Sequence, residues 1–369
     1  MTTTETRLQQ GTTTDPAPDD TADAAAENPT LDRLLQVMDD GALALLIGLG
    51  HETGLLEALA DLPPATSRQV ADAAGLDERY VREWLGGAAC GELVEYDPGA
   101  GTYALCPQVR PFVTGNGPDN LARVMRYLGA IGAVAPRLVE CFRHGGGLGY
   151  ADYPDFHRLQ AEESAAVNDA SLVDTIIPLT GLVDRLVAGI DVLDVGCGRG
   201  HAVNILGRAF PRSRFTGYDF SADALVAARA EAAAWGLTNV TFEDHDVATL
   251  PEGAFDLVTA FDAVHDQAHP ATVLAAVRRS LRDDGTFLMV DIKASSELED
   301  NLELPWGTFL YWISTFHCMT VSLGQGGEGL GTVWGTQLAE RMVRAAGFGD
   351  VTVNELADDP FNVYVVARP

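Results

Sequence analysis

The sequence predicts an α/β fold, in which a doubly wound sheet follows a smaller, mainly helical domain. One observation is the alternation of short apolar runs with helical spacings of apolar residues across 192–292. A second is the glycine-rich turn that ends the first of these runs, in the stretch Val192–Gly200 (VLDVGCGRG). A third is the order of patterns in 31–105, where helical segments precede two short strands.

The first predicted strand, 192–195, leads into a turn suited to close contact with a ligand. Its residues are mostly apolar, which is typical of a buried parallel strand. Gly196, Gly198 and Gly200 let the backbone turn tightly and approach a ligand without an intervening Cβ. A helix is expected over 201–210. Together these elements place a ligand at the carboxyl end of a strand, beside a helix N-terminus.

Two nucleotide classes compete for this loop. The dinucleotide fingerprint G-x-G-x-x-G needs glycine at the position that His201 occupies, which disfavours an NAD-dependent oxidoreductase. Asp194 lies two residues before the first glycine, where a carboxylate would repel a pyrophosphate but could hold an ammonium group. With an acid followed by G-x-G-x-G, the chain resembles the class I S-adenosylmethionine (SAM) methyltransferases.

Acidic residues recur at the ends of the next strands. Asp219 ends the predicted strand 214–218, where a carboxylate can accept hydrogen bonds from both ribose hydroxyls of a nucleotide. Phe220 follows it, and we expect its ring to lie against the adenine. The resemblance implies that Asp246 accepts from the adenine amino group and that the Val247 amide meets the ring.

Two further strands, Leu257–Phe261 and Thr286–Asp291, complete five strands that alternate with helices. The resemblance implies a Rossmann-like, seven-stranded methyltransferase sheet that closes with a helix and two late strands, the last one antiparallel. Together, the motifs predict SAM as the cofactor. The predicted cofactor-binding residues are Asp194, Gly196, Cys197, Gly198, Gly200, Asp219, Phe220, Asp246, Val247, Phe261, Asp262 and His265.

Composition limits the partners and the compartment. The net charge of −29 disfavours binding to nucleic acid and to acidic membranes. Two origins of this charge remain open: an acidic tail together with coding bias, or adaptation to high salt. Residues 1–30 are predicted to be a disordered acidic tail, unlike a signal peptide. No run of eighteen apolar residues occurs, so we expect a cytoplasmic protein without a membrane partner. Five scattered cysteines without a C-x-x-C pair predict neither disulfides nor a bound metal.

Residues 31–115 are predicted to form a winged-helix-like domain, with helices followed by a hairpin near 93–105. Its presumptive recognition helix offers Glu78, Arg79, Arg82 and Glu83, whose charges cancel, so DNA binding is disfavoured. In the small-molecule O-methyltransferases that this layout resembles, such a domain serves dimerisation and closes over the substrate. We therefore expect a homodimer built through residues 31–140.

The substrate pocket is expected from two segments outside the strands. Residues 116–180 are predicted as a helical linker and pocket wall, containing long helical material over 121–142 and a hinge loop at 144–157. Residues 181–369 are predicted as the SAM-binding domain, with a lid insert at 293–335 whose middle is aromatic on all sides and whose end is rich in glycine. The predicted pocket residues are Tyr150, Phe156, Trp312, Phe316 and His317.

The predicted function is methyl transfer from SAM to a small, apolar or aromatic acceptor, with O-methylation favoured. A hydroxyl acceptor must lose its proton, and histidine is the usual base near neutral pH. The candidate bases are His317, in the aromatic insert, and His265, just beyond the fourth strand. The alternative is a winged-helix regulator that senses SAM. The N-terminal domain together with the insert resembles a little-characterised bacterial and archaeal group of these methyltransferases.

Overall fold

A computed structural model of the protein describes residues 28–369. The predicted disordered tail therefore lies outside the described residues, apart from 28–30, where the first helix already begins at Pro29. Residues 42–369 form one compact unit, and the described residues before them, 28–41, belong to another.

The helices are α1 (Pro29–Glu52), α2 (Leu55–Asp61), α3 (Ser67–Ala74), α4 (Glu78–Cys90), α5 (Arg110–Val113), α6 (Ala122–Gly132), α7 (Ala135–His144), α8 (Phe156–Ser171), α9 (Val183–Ala188), α10 (His201–Ala209), α11 (Ala222–Ala234), α12 (Pro270–Ser280), α13 (Leu298–Asn301), α14 (Gly307–Ile313), α15 (Met319–Gly324) and α16 (Thr336–Ala345). The strands are β1 (Val94–Asp97), β2 (Thr102–Leu105), β3 (Asp191–Val195), β4 (Arg214–Asp219), β5 (Val240–Asp244), β6 (Phe255–Phe261), β7 (Leu281–Ile292), β8 (Asp350–Leu356) and β9 (Asp359–Arg368). Short 3₁₀ turns occupy Tyr150–Asp152, Ile177–Thr180 and Val247–Thr249, and π-helical turns occupy Leu172–Ile176 and Ser314–Cys318.

The large sheet has seven strands in the order β5-β4-β3-β6-β7-β9-β8. Strands β3 to β7 are parallel, and β9 runs antiparallel to both β7 and β8, as predicted. Helices cover both faces, and the cores on those faces centre on residues such as Phe287 and Tyr364. The strand order reverses beside β3, so a crevice opens at the carboxyl ends of β3 and β6.

The N-terminal domain has the predicted helices and hairpin. Thr66 and Gln69 form a capping box at the start of α3, with the Thr66 side chain accepting from the Gln69 amide. The Trp84 indole of α4 donates to the Leu46 carbonyl at 2.8 Å, which fixes α4 against the second half of α1. Strands β1 and β2 pair antiparallel as the wing.

The segment 121–142, predicted as one long helical stretch, is divided into α6 and α7. Pro136 lies in the first turn of α7, where its missing N–H costs nothing. Inside a continuous helix the same ring would clash with the carbonyl of Gly132, so the chain breaks at Ala133 and Val134.

Most glycines of the insert occupy crowded positions, in which an added Cβ would meet neighbouring atoms. A Cβ on Gly324 would lie 2.3 Å from the Leu148 carbonyl oxygen, and one on Gly331 would lie 2.2 Å from Ser314 Oγ. Gly326, by contrast, has open space around it. Close packing against backbone at Gly324 and against a side chain at Gly331 therefore requires glycine at these two positions.

The predicted hinge loop at 144–157 is likewise held by the insert. The Leu148 amide donates to the Thr320 carbonyl at 3.1 Å, and a Cβ on Gly147 would lie 1.9 Å from that same oxygen. This contact joins the loop before α8 to helix α15.

Helix α1 is long and apolar enough, by length and composition alone, to cross a membrane, with a window of mean hydropathy 1.2 near the N-terminus. It contains Asp39 and Asp40 side by side. A helix that packs in a protein interface has the same composition, so one such helix is weak evidence for a membrane span.

The crossing of the loop and α15 generates a stability prediction. Gly147→Ala should lower the free energy of unfolding by about 1–3 kcal/mol, since the added methyl group must push backbone apart. Gly149→Ala, in the same loop at an extended φ of −99° and with nothing within 4 Å of the added carbon, is the matched control. Urea unfolding measures both, and equal stabilities would contradict the packing described here.

Candidate active site

The glycine loop between β3 and α10 has the geometry that its sequence predicts. Gly196, Gly198 and Gly200 all have positive φ, at 72°, 51° and 73°. A Cβ on Gly196 would lie 2.6 Å from that of Ala263, whereas one on Gly198 would meet nothing within 4 Å. The loop backbone at Gly198 is therefore open to a neighbouring molecule.

Asp219, at the end of β4, ties this loop to the adjacent strand. One carboxylate oxygen accepts from the Gly198 amide at 2.8 Å, and the other accepts from the Ser221 amide at 2.8 Å. The Tyr218 carbonyl accepts from the amides of Gly196 and Cys197. Each carboxylate oxygen has two acceptor positions, so Asp219 retains capacity for a ligand.

Asp194 lies within β3, beneath the loop, and is buried. It accepts a hydrogen bond of 2.6 Å from the Thr259 hydroxyl of β6. Burial raises the pKa of Asp194 to about 7, although the Thr259 hydrogen bond acts in the opposite direction. A cationic group bound nearby would restore the charged form.

Two adjoining cavities, of about 450 and 610 Å³, open over the loop. They share His157, Gln160, Gly196, Gly198, Phe261 and Asp262. The first is lined in addition by Tyr150, Asp219, Phe220, Ala263, Asp266 and Gln267. The second is lined in addition by Ala161, Ser164, Asn168, Asp194, Cys197, Arg199, Gly200, His201 and Ala202. The loop thus forms one wall of a divided cleft, and helix α8 forms the other.

Asp262 lies where the two cavities meet, directly after β6. Its φ of 50° is unusual for a residue other than glycine and is a strained conformation of the kind found at functional sites. Its Oδ1 is buried without a hydrogen-bond partner. Burial and the nearby Asp291 raise the pKa of Asp262 to about 8.

Neither candidate base lines the cavities. His265 is buried, with Nδ1 at 2.9 Å from Asp291 Oδ1, and although burial lowers its pKa, Asp291 and Asp266 outweigh that effect and raise it. His317 is fully buried and stacks on Phe156 with ring centroids 3.5 Å apart. Burial lowers the pKa of His317 to about 4, and neither ring nitrogen has a hydrogen-bond partner.

Some of the other predicted site residues line the cavities, and the rest do not. Tyr150 and Phe220 line the first cavity, with ring centroids 5.3 Å apart. Asp246 is exposed, and its carboxylate caps the following turn by accepting from the Ala248 amide at 2.9 Å. The remaining four residues, Phe156, Val247, Trp312 and Phe316, are buried or half-buried and lie outside the two cavities.

The wall formed by α8 is not among the predicted site residues. His157, which stacks on Tyr150 at 5.2 Å, lines both cavities, whereas the predicted bases His265 and His317 line neither. Gln160, Ser164 and Asn168 follow it toward the second cavity. Their spacing of four residues places them on one helix face. Because α8 also carries Arg158, Glu162, Glu163 and Asp169, this polar stripe does not stand out in the sequence.

Comparisons with known proteins agree with this architecture. Residues 41–115 match the Rv2258c-like winged HTH domain, and residues 186–315 match a methyltransferase domain.

Curated relatives align over the second of these regions. The trans-aconitate 2-methyltransferase of Methylobacterium nodulans is 34% identical over 131 residues, which are 35% of this chain and 46% of that protein. The fatty-acid O-methyltransferase of Mycolicibacterium smegmatis is 31% identical over 114 residues, 31% of this chain and 41% of that protein. The matched regions span less than half the length of these relatives.

Solved structures align along nearly the whole chain. Human N-acetylserotonin methyltransferase in complex with SAM has a TM-score of 0.67 at 15% identity, covering 93% of this chain and 99% of that one. The mitomycin 7-O-methyltransferase MmcR has a TM-score of 0.67 at 17% identity, covering 92% and 98%. At these identities the likeness shows the fold. The chain therefore combines a region that matches a winged helix-turn-helix domain with a region that matches a methyltransferase domain, and it has the fold of these solved methyltransferases.

Proposed function

We propose that the protein transfers a methyl group from SAM to an oxygen of a small, apolar or aromatic acceptor. The observation that supports this most directly is the loop 196–200, open at Gly198 and tied to Asp219, in a chain that matches a methyltransferase domain. Relatives and structural neighbours named as O-methyltransferases favour oxygen as the acceptor atom.

The residues present fit SAM. Asp194 lies against the second cavity and is suited to the ammonium group, and Asp219 lies against the first and is suited to the ribose hydroxyls. The unpartnered buried oxygen of Asp262, at the junction, indicates that a ligand completes its hydrogen bonding. When bound, SAM supplies an electrophilic methyl group on its sulfonium. The adenine contacts of Asp246 and Val247 remain part of the proposal, at the edge beyond the two cavities.

The acceptor is proposed to occupy the part of the first cavity next to Tyr150, beside the ribose position at Asp219. Tyr150 gives this part an aromatic wall, whereas Phe220 and Phe261 stay assigned to the cofactor. Among the described residues that line it, none is lysine or arginine, so an anionic acceptor would lack a cationic partner. Methyl transfer depends mainly on aligning the acceptor with the methyl group, which rigid walls provide.

Three histidines are candidates for removing the acceptor's proton. His157 is the one that lines the cavity, and burial lowers its pKa, so it is neutral near pH 7 and able to accept a proton. For His265 or His317 to act, the acceptor must reach past the cavity wall. We propose His157 as the first base to test, with the other two as alternatives.

The insert 293–335 is proposed to order around the acceptor. Trp312, Phe316 and His317 pack with Tyr153 and Phe156 into a small aromatic core, next to the wall that Tyr150 forms. Hydrogen exchange across 305–335 that does not change on ligand binding would contradict this proposal.

We also propose a cytoplasmic homodimer built through residues 31–140. Within the compact unit, Leu45 and Leu49 of α1 and Phe142 of α7 are exposed. Exposed apolar surface of this kind usually marks an interface. Light scattering should give a dimer for the wild type and a smaller mass for Leu45→Glu/Leu49→Glu. Val226→Glu, at an exposed apolar site on α11, is the control that should stay dimeric.

The alternative, a SAM-sensing regulator, finds less support. On α4, Arg79 pairs with Glu83 and Arg82 with Glu78, so the arginines are already partly neutralised. Binding of duplex DNA in a gel shift at low salt would favour the regulator.

The cofactor site generates a binding prediction. Asp219→Asn removes the charged acceptor and should weaken SAM binding roughly tenfold or more, because hydrogen bonds to a charged group are worth about 1.5–3 kcal/mol each. Asp244→Asn, one strand away, is the control and should bind SAM like the wild type. Calorimetric titration measures both, and tight NAD binding without SAM binding would overturn the assignment.

Asp194 generates a pH prediction. With its pKa raised to about 7, the folded protein retains a proton between about pH 4 and 7 that the unfolded chain releases, so wild-type stability falls as pH rises across this window. Asp194→Asn lacks this pH-dependent contribution to stability, because its side chain does not titrate. The ligand-free variant should melt higher than the wild type at pH 8, with the difference shrinking toward pH 5, yet bind SAM more weakly. A pH-independent difference would contradict the buried acid.

The base assignment can be tested by two matched substitutions. With an acceptor found by screening phenols, thiols and small carboxylates, His157→Gln should lower kcat about 10²–10⁴-fold. Wild-type activity should fall as pH drops below 6.5, because His157 then becomes protonated, and this fall should be absent in the variant. If His317→Gln shows the larger loss instead, the base is the buried histidine.

A further inference from the structure

A compact cluster of ligand-type side chains lies behind the wall of the first cavity. His265 and Asp266 follow β6, and Cys318 ends the π-helical turn between α14 and α15. One ring nitrogen, one carboxylate oxygen and the sulfur all lie within 4.8 Å of one another, and all three residues are buried. A search for C-x-x-C pairs cannot reveal this cluster, because its one cysteine, Cys318, lies more than fifty positions after His265 and Asp266 in the chain.

The imidazole of His265 is oriented by the neighbouring strand. Asp291 of β7 holds Nδ1 at 2.9 Å, and the Trp334 indole donates to the same Asp291 oxygen at 3.1 Å. Nε2 therefore faces the other members of the cluster. Metal-binding histidines usually have this environment, in which one ring nitrogen contacts a carboxylate and the other faces the remaining ligands.

Asp266 supplies an independent indication of a missing partner. Its Oδ2 accepts from the Tyr150 hydroxyl at 3.1 Å, while its Oδ1 has no hydrogen-bond partner although the residue is 7% exposed. That oxygen lies 3.3 Å from His265 Nε2, in a contact without hydrogen-bond geometry. A buried carboxylate oxygen without a donor requires an explanation, and a bound cation is one.

We propose that His265 Nε2, Asp266 Oδ1 and Cys318 Sγ bind a divalent zinc ion. Nitrogen, oxygen and sulfur donors together favour zinc over magnesium or calcium, which prefer oxygen ligands. Three protein ligands leave one coordination position for water or another small donor. Asp266 also lines the first cavity, which gives the ion a route of entry. The proposal concerns metal binding and does not depend on the methyl-transfer assignment.

The competing explanation is a protonated His265 held between Asp266 and Asp291, which needs no metal. The two explanations differ in the part played by Cys318. A thiolate ligand gives cobalt(II) a charge-transfer band, whereas a histidine held between two carboxylates involves no sulfur–metal bond.

The test uses the full chain, purified without chelators, treated with zinc or cobalt(II) and then dialysed. We expect zinc in a stoichiometric amount by elemental analysis, and a sulfur-to-cobalt band in the near ultraviolet for the cobalt form. Cys318→Ser should lose the band, whereas Cys141→Ser, at a half-buried cysteine elsewhere, should keep it. Asp291→Asn should weaken zinc binding about 10–100-fold, as for other groups that orient a ligand histidine.

Circular dichroism of each variant establishes that it is folded, and the wild-type band alone decides the case if a variant fails to fold. Zinc far below stoichiometry in the zinc-treated wild type, or a cobalt band that survives in folded Cys318→Ser, would overturn the proposal in favour of a protonated His265.

Discussion

The site depends on the pair of hydrogen bonds that the Asp219 carboxylate accepts from the backbone. One comes from Gly198 in the loop after β3, and the other comes from Ser221 at the start of α11. The first bond connects the ends of two adjacent parallel strands, β3 and β4, and the second fixes the carboxylate at the end of its own strand. Because a carboxylate can accept more than these two bonds, the group that fixes the loop also remains available to a ligand.

The loop can take this path only because glycines let it lie in close contact with the sheet beneath it. Gly217 of β4 faces Cys197 and Phe242, and a Cβ there would lie 2.8 Å from the sulfur. Gly200 is equally confined by Phe242 and Ala228. Glycine is therefore needed both for positive φ and for close contact between the loop and the sheet. The cofactor wall is set by the sheet, whereas the facing wall is α8, and the loop before α8 is held by its crossing with α15 at Gly147.

Much of the sheet and the cofactor wall could be predicted from the sequence, because both depend on local patterns. Buried strands, a glycine loop and an acid at each strand end are contiguous signals, and Asp194, Asp219 and Asp262 all lie at the cavities. The facing wall could not be predicted in the same way. Whether an aromatic ring such as Trp312 faces a cavity or a second set of rings depends on tertiary packing, and the helical pattern is the same in both cases.

The histidines also could not be placed from the sequence alone. His317 and His265 were predicted as bases from their neighbours in sequence, yet both are buried. His157 reaches the cavity instead, because α8 begins beside Tyr150. Gly324 and Gly327 of the insert lie against backbone of Leu148 and Ala268, which are distant in sequence. Long-range contacts of this kind leave no periodic signal in the chain.

The central claim is that the loop after β3 and the end of β4 bind the cofactor as one unit. Amide hydrogen exchange with and without S-adenosylhomocysteine tests it most directly. The account predicts that saturating ligand slows exchange together in 194–201 and 217–222. Binding that leaves both segments unchanged, or that protects only the winged-helix residues 41–115, would contradict it.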